Sequence, residues 1–186
     1  MRIYCTNGRT LAGEIGSKDV IIVGAHYDDR YKNISDPQGR APGANDDGSG
    51  TAMILALARA ISQSKAKFKH TIKLCLFSGE EQGLVGSRAL ARVYKDHGVQ
   101  VSLMIQGDML GYRKPGEPLQ TGFASRYASP ASTEFAKTIT EKYVPELVTG
   151  YTQVCCSDQQ VLSFLNFRAF MSLDFLPHFS LSVPAI

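Results

Sequence analysis

The sequence predicts an α/β fold, a three-layer α/β/α sandwich around a mixed, largely parallel central sheet. Three observations predict it. Short, mostly apolar runs at Asp19–Ala25, Thr71–Phe77 and Val99–Ile105 read as strands, the continuous run at Asp19–Ala25 as a central one buried on both faces. Segments between them, such as the one from Thr51, repeat apolar residues at helical spacing. Strands alternating with helices in this way are βαβ units, which pack helices on both faces of a parallel sheet.

Taken in order, residues 1–17 are turn-rich, with an edge strand expected at Ile3–Cys5. Asp19–Ala25 is a central strand ending in His26-Tyr27-Asp28-Asp29. Residues 30–43 are polar and carry Pro37, Gly39, Pro42 and Gly43, hence a loop. Asn45-Asp46-Asp47-Gly48-Ser49-Gly50 supplies N-cap chemistry for a helix in which Met53, Ile54, Leu57, Ala58 and Ile61 recur on one face. After a polar connection over Gln63–His70, the Thr71 strand leads through Ser78-Gly79-Glu80-Glu81 to a helix over Ser87–Lys95, with Gly98 as its stop signal. The Val99 strand ends in Gln106-Gly107-Asp108. Residues 113–129 read as a Pro/Gly-rich loop with room for one strand. Ala131–Tyr143 reads as an amphipathic helix through Phe135, Ile139 and Tyr143. A strand at Leu147–Tyr151, a helix over Gln159–Phe167 and a strand at Ala169–Leu173 follow. There is no internal repeat and no linker.

Composition bounds the function. A chain of 186 residues with 44% hydrophobic content is one globular domain over 1–186 with a sizeable core, residues 168–186 being atypical. The net charge of +3 comes from dispersed Lys and Arg, with no run suited to nucleic acid. No apolar stretch approaches the roughly 20 residues of a membrane span. Met-Arg-Ile-Tyr-Cys-Thr lacks the apolar core of a signal peptide. Of the four cysteines, Cys75 reads as an inert core thiol. Cys155 and Cys156 are adjacent, and one of them pairing with Cys5 is open in an oxidising compartment. Asn33-Ile34-Ser35 is a glycosylation sequon, relevant only to a secreted chain.

The chemistry gathers at strand ends. Glu80 and Glu81 adjoin at the end of a buried strand, where two carboxylates repel unless a positive object lies between them. Read alone, this stretch also fits a solvated acidic turn. His26 and Asp108 end two further strands, and Asp46 and Asp47 open the first long helix. In a parallel sheet the carboxyl ends of strands share one edge, where α/β sites form. His26, Asp46, Glu81 and Asp108 are therefore expected to converge. One His among several carboxylates suits zinc or manganese, and the surplus of carboxylates suits two ions sharing a bridging ligand. In His26-x-Asp28 the carboxylate is placed to hold the second ring nitrogen of His26. Helix capping accounts for Asp47 or Ser49 and leaves Asn-Asp-Asp in a row unexplained. Tyr27 and Tyr112 either line the cleft or pack.

Four motifs carry a resemblance: Gly24-Ala25-His26-Tyr27-Asp28, Pro42-Gly43-Ala44-Asn45-Asp46-Asp47-Gly48-Ser49-Gly50, Phe77-Ser78-Gly79-Glu80-Glu81-Gln82-Gly83-Leu84-Val85-Gly86-Ser87 and Gly107-Asp108-Met109. In this order, over about residues 19–158, they resemble the co-catalytic di-zinc exopeptidases, the superfamily of bacterial leucyl aminopeptidases, glutamate carboxypeptidases and glutaminyl cyclases. The resemblance implies that His26 and Asp108 hold one zinc, Glu81 the other, and Asp46 bridges both. It implies Glu80 as general base and acid, Asp28 as the residue orienting His26, and a cis Asp46–Asp47 peptide. The implied activity is zinc-dependent hydrolysis of N-terminal peptide bonds, on peptide substrates, in a secreted or vacuolar setting.

The sequence also departs from that pattern. Cys156-Ser157-Asp158 resembles a later family segment, but Gln159 follows where the family has His. The family's fifth ligand is a second His near the carboxyl end. Here His178, in Leu176-Pro177-His178-Phe179-Ser180, is the one histidine of that region, and its apolar flanks do not match. Both ends read as truncated, and the zinc at Glu81 is expected to be the weaker of the two. The alternatives to an aminopeptidase are an inactive pseudo-peptidase and a single-zinc glutaminyl cyclase-like transferase.

Overall fold

The structure is a computed structural model and describes residues 19–31, 33, 36, 38–64, 66–154, 156–164 and 168–173. The strand expected at Ile3–Cys5 and the tail holding His178 lie outside them, as do Cys5 and Cys155.

β1 (Asp19–His26) is the centre of the fold. It pairs in parallel with β2 (Thr71–Phe77) on one side and β3 (Gln100–Gly107) on the other. Both of its faces are covered, as its unbroken apolar run requires. Val20 and Ile22 pack with Cys75, Phe77, Leu90, Ala91, Tyr94, Val101, Met104 and Leu162. Val23 and Ala25 pack the opposite way, with Ile54, Ile72 and Leu74. Ile54 belongs to α1 (Gly48–Gln63); Leu90, Ala91 and Tyr94 belong to α2 (Val85–Asp96). The two helices therefore lie on opposite faces. Right-handed crossovers give the same result, because α1 steps from β1 outward to β2 while α2 steps back across β1 to β3. Ile22, Ala25, Cys75 and Met104 are wholly buried. Each large apolar side chain so buried contributes about 1.5–3 kcal/mol before the entropy of ordering is subtracted.

The six-stranded sheet continues from β3 to β6 (Ala169–Leu173), which is parallel to it, then to β4 (Gln120–Ala124) and β5 (Val148–Thr152). β4 runs antiparallel to β6, and β5 runs parallel to β4. The expected mixed, largely parallel sheet is thus four parallel strands plus a reversed pair. α3 (Pro130–Tyr143) packs over β4, β5 and β6, and α4 (Gln159–Phe164) over β3 and β6.

α3 departs from the expected pattern. Periodicity assigns Phe135, Ile139 and Tyr143 to its core face, yet they are exposed, and the buried residues are Ser132 and Thr133. A helix stripe marks where apolar side chains align, and it does not say which neighbour covers them. Here the small polar face is the one turned inward. Ser129 caps this helix, accepting from the Ser132 amide.

Candidate metal centre

Strand register sets the frame of the site. His26 pairs with Phe77 at the ends of β1 and β2, and Gly24 pairs with Gln106, so Asp108 comes level with His26 on the far side. Gly79, at φ +71°, turns the chain sharply after β2 and delivers Glu80 and Glu81 to the same edge.

The His26 ring is almost wholly buried. Its Nε2 lies 3.1 Å from Asp46 Oδ1, 3.8 Å from Asp108 Oδ2 and 3.9 Å from Asp47 Oδ2. One ligand atom from each of His26, Asp46 and Asp108 lies within 4.8 Å of the others. Nδ1 lies 3.0 Å from the Asp28 backbone carbonyl and 3.7 Å from the Asp28 carboxylate. The carbonyl, rather than the carboxylate expected from His26-x-Asp28, is the closer partner. The Asp28 carboxylate is engaged elsewhere, since its two oxygens accept from the amides of Glu80 and Glu81, each at 3.1 Å. Asp28 thereby links the end of β1 to the turn after β2.

The row Asn45-Asp46-Asp47 resolves into three roles. Asn45 Oδ1 accepts from the Gly111 amide at 2.8 Å, anchoring the loop after β3. Asp47 is the N-cap of α1 and is buried, accepting from the amides of Gly50, His26 and Met109 at 2.8, 3.2 and 3.3 Å. Asp46, joined to Asp47 by a cis peptide bond, stays half exposed and faces the cleft. Ser49 is an anchor rather than the cap: its hydroxyl donates to the Asn45 carbonyl and accepts from the Leu110 amide. α1 approaches closely because position 50 is glycine. A Cβ there would sit 2.5 Å from both the Asp47 carboxylate and the Gly107 carbonyl.

Glu80, Glu81, Asp46 and Asp108 line one open cleft of about 440 Å³ together with Arg30, Arg88, Leu84, Met109, Val154 and Gln160. Tyr27 and Tyr112 are not among its lining residues; Tyr112 borders a separate cavity with Leu119 and Leu147. Glu80 and Glu81 sit in unlike surroundings. Burial, opposed by His26 and reinforced by Asp158, pushes the Glu80 carboxyl up to about 8. Burial and then Asp46 raise Glu81, but Arg30 opposes them, its Nε lying 2.7 Å from Glu81 Oε2. Burial and Asp108 push Asp47 up to about 7. Burial favours the neutral His26 imidazole, but Asp108, Asp28 and Asp46 together outweigh it and hold the ring protonated. Within this carboxylate cluster the proton on His26 stands where a cation would.

Two features were not read from sequence. Arg30 sits in a stretch whose composition signals only a loop, and nothing local to it names Glu81 as its partner. Behind the cleft lies a buried polar group in which Gln106 Nε2 donates to Ser157 Oγ and Asp158 Oδ2, at 3.2 and 3.3 Å. Burial pushes Asp158 up to about 7, with Ser87 opposing. Gln106 stands at the end of an apolar strand, where its polarity signals only the strand's end. Cys75 is buried and outside any disulfide, as expected of a core thiol, and Cys156 is disulfide-bonded. The expected pairing with Cys5 falls outside the described residues.

Comparison with known proteins agrees with this geometry. The profile of peptidase family M28 matches residues 10–175. A "Probable leucine aminopeptidase" of Arthroderma benhamiae is 38% identical over 148 residues, covering 76% of this chain and 38% of the relative. A "Probable zinc metalloprotease" of Pyrenophora tritici-repentis is 46% identical over 105 residues, covering 56% of this chain and 24% of the relative. Among solved structures, the Legionella pneumophila LapA aminopeptidase superposes with a TM-score of 0.76 at 28% identity, covering 84% of this chain and 41% of that one. An aminopeptidase from an Aneurinibacillus species gives 0.70 at 28% identity, covering 89% and 38%. The chain spans about two fifths of the length of the leucine aminopeptidases it matches.

Proposed function

The chain belongs to peptidase family M28, and from that premise we propose that it is the catalytic part of a zinc aminopeptidase, acting on the N-terminal bond of peptides. The observation that carries the reading is the convergence of His26 Nε2, Asp46 and Asp108 beside Glu80 and Glu81 in one cleft. The donor set fits a small divalent cation. A single imidazole and two carboxylates crowd together, and the nearby guanidinium pairs with Glu81 rather than with any of the three. The names of relatives as zinc metalloprotease and leucine aminopeptidase support the same reading.

In this proposal His26, Asp46 and Asp108 would hold one zinc, and Glu81 together with Asp46 would hold a second. When bound, zinc supplies a Lewis acid that polarises the scissile carbonyl and makes water a competent nucleophile near neutral pH. The rest falls to the chain's own groups. The Asp28 carbonyl holds His26 Nδ1, which fixes the ring and points Nε2 at the cleft. Glu80 takes the proton of the attacking water and returns it to the leaving amine, a role suited to a carboxyl whose affinity for protons is raised by burial. Glu81 has the Arg30 guanidinium beside it, a partner for its carboxylate form. The disulfide at Cys156 suits an oxidising compartment and supports the proposal of a secreted or vacuolar setting.

Glu80→Gln tests the assignment. Hydrolysis of a leucyl amide substrate is expected to fall at least about a thousandfold while bound zinc is unchanged. Activity within tenfold of the parent chain removes Glu80 from the role of base.

A further inference from the structure

We propose that Arg30 is a built-in counter-ion for Glu81 that competes with the second metal ion, so that the cleft fills in two unequal steps. The inference rests on the metallopeptidase reading and adds a residue to it. Its basis is an asymmetry among the acidic groups of the cleft. His26, Asp46 and Asp108 form a compact three-ligand group, and it is the only such group among the described residues. Glu81 is not part of it. Its side chain is nearly buried, at 9% exposure, and its Oε2 meets Arg30 Nε at 2.7 Å.

The guanidinium reaches Glu81 from the loop after β1, four residues beyond His26, so the same strand end that presents one ligand also presents the competing cation. Arg30 lines both the main cleft and the adjoining one bordered by Tyr31, Arg40 and Asn45, and Asp46 and Glu81 line both as well. It therefore occupies the space beside the two carboxylates that a second ion would use. A guanidinium keeps its charge at every working pH and cannot yield by losing a proton. An ion approaching Glu81 must displace it. Arg30 is half exposed, at 54%, so it has solvent to swing into. At the first site no Lys or Arg contacts His26, Asp46 or Asp108 among the ion pairs of the described residues.

Zinc titration of the metal-free chain against a chromophoric chelator, with Arg30→Gln, Arg30→Lys and wild type in parallel, separates the steps. Wild type is expected to take a first zinc tightly and a second more weakly. An ion pair with one half-exposed partner contributes modestly, so Arg30→Gln is expected to tighten the second step by about fivefold, leaving the first within twofold. Arg30→Lys keeps a positive charge beside Glu81 and is expected to stay within twofold of wild type at both steps. Thermal melting of each variant reports folding independently. A second step unchanged in Arg30→Gln, or absent from both chains, overturns the role of Arg30 and leaves the His26–Asp46–Asp108 site standing. Failure of wild type to take the first zinc overturns both the inference and the reading it rests on.

Discussion

Replacing Asp28 with Asn separates two roles that share one residue. The Asp28 backbone carbonyl faces His26 Nδ1 at 3.0 Å, and the substitution keeps it. The carboxylate accepts from the amides of Glu80 and Glu81, both at 3.1 Å, and an Asn side chain has one acceptor oxygen for two donors. One partly buried amide then faces an NH2 group. An unsatisfied donor of this kind costs about 1–3 kcal/mol, and a middle value of about 2 is reasonable for a side chain 17% exposed. For a chain of this length that is a fall in melting temperature of about 4–8 °C. Losing a partner that orients a ligand typically weakens metal binding 10–100-fold. Because the carbonyl remains, zinc affinity in Asp28→Asn is expected to fall less than tenfold. Turnover is expected to fall more, since Glu80 rides on the loosened turn.

The pH dependence follows from the sign of the shift. Burial opposes ionisation of Asp28, but His26 and the amides of Glu80 and Glu81 prevail and hold it below the usual carboxylate range. A depressed folded value means stability present above the unfolded value and lost as pH falls through the folded one. The gap between Asp28→Asn and wild type is therefore expected to narrow below about pH 4. Calorimetry at several pH values, with zinc titration at neutral pH, checks both parts. A melting temperature within 1 °C of wild type at pH 7 refutes the anchoring of the turn. A zinc affinity lowered 10–100-fold with an unchanged melting temperature shows that the carboxylate serves His26 instead.

Metal-free protein is expected to lose stability as pH rises from about 5 to 8. Glu80 at about 8 and Asp47 and Asp158 at about 7 bind protons more tightly folded than unfolded, and so does His26; stability held below their unfolded values drains away as pH passes the folded ones. Saturating zinc replaces those protons, so its stabilisation is expected to grow over the same range, and urea melts at pH 5 and 8 with and without zinc read this directly; a metal-free chain more stable at pH 8 contradicts the assignment of these shifts. Gly50→Ala places a methyl against the Gly107 carbonyl, which cannot swing away, at a cost of about 3 kcal/mol or a fall of about 6–12 °C. A melting temperature unchanged by that substitution shows that α1 has room to withdraw from β3.

The fold is legible in the sequence because its signals are local. β1 is a continuous apolar run, as a strand buried on both faces requires, and β2 and β3 are mostly apolar. The convergence of His26, Asp46 and Asp108 follows from a rule about where parallel strands end. The buried face of α3 is not legible, because covering a helix stripe depends on neighbours that periodicity does not specify. Arg30 escapes notice for a related reason: its partner lies 51 positions away, across a pairing of β1 with β2 that no local pattern encodes. The triple Asn45-Asp46-Asp47 stands out in the sequence without explaining itself, since its three side chains serve the loop after β3, the cleft and the helix cap respectively.

Those long-range contacts bear on why two adjacent glutamates can behave differently. Neighbours on a chain share a backbone, so position alone gives them similar potentials. Asp28 fixes both amides of Glu80-Glu81, which holds the turn while its side chains diverge. Burial, with Asp158 and Asp108 adding to it and His26 opposing, then raises the proton affinity of Glu80, and Glu81 meets Arg30. Unequal burial and the charged residues 30, 46, 108 and 158, none of them in the motif that carries the pair, set the two carboxyls apart. In the proposed reading, the division of labour between Glu80 as proton carrier and Glu81 as ligand is therefore set by the sheet edge rather than by the pair.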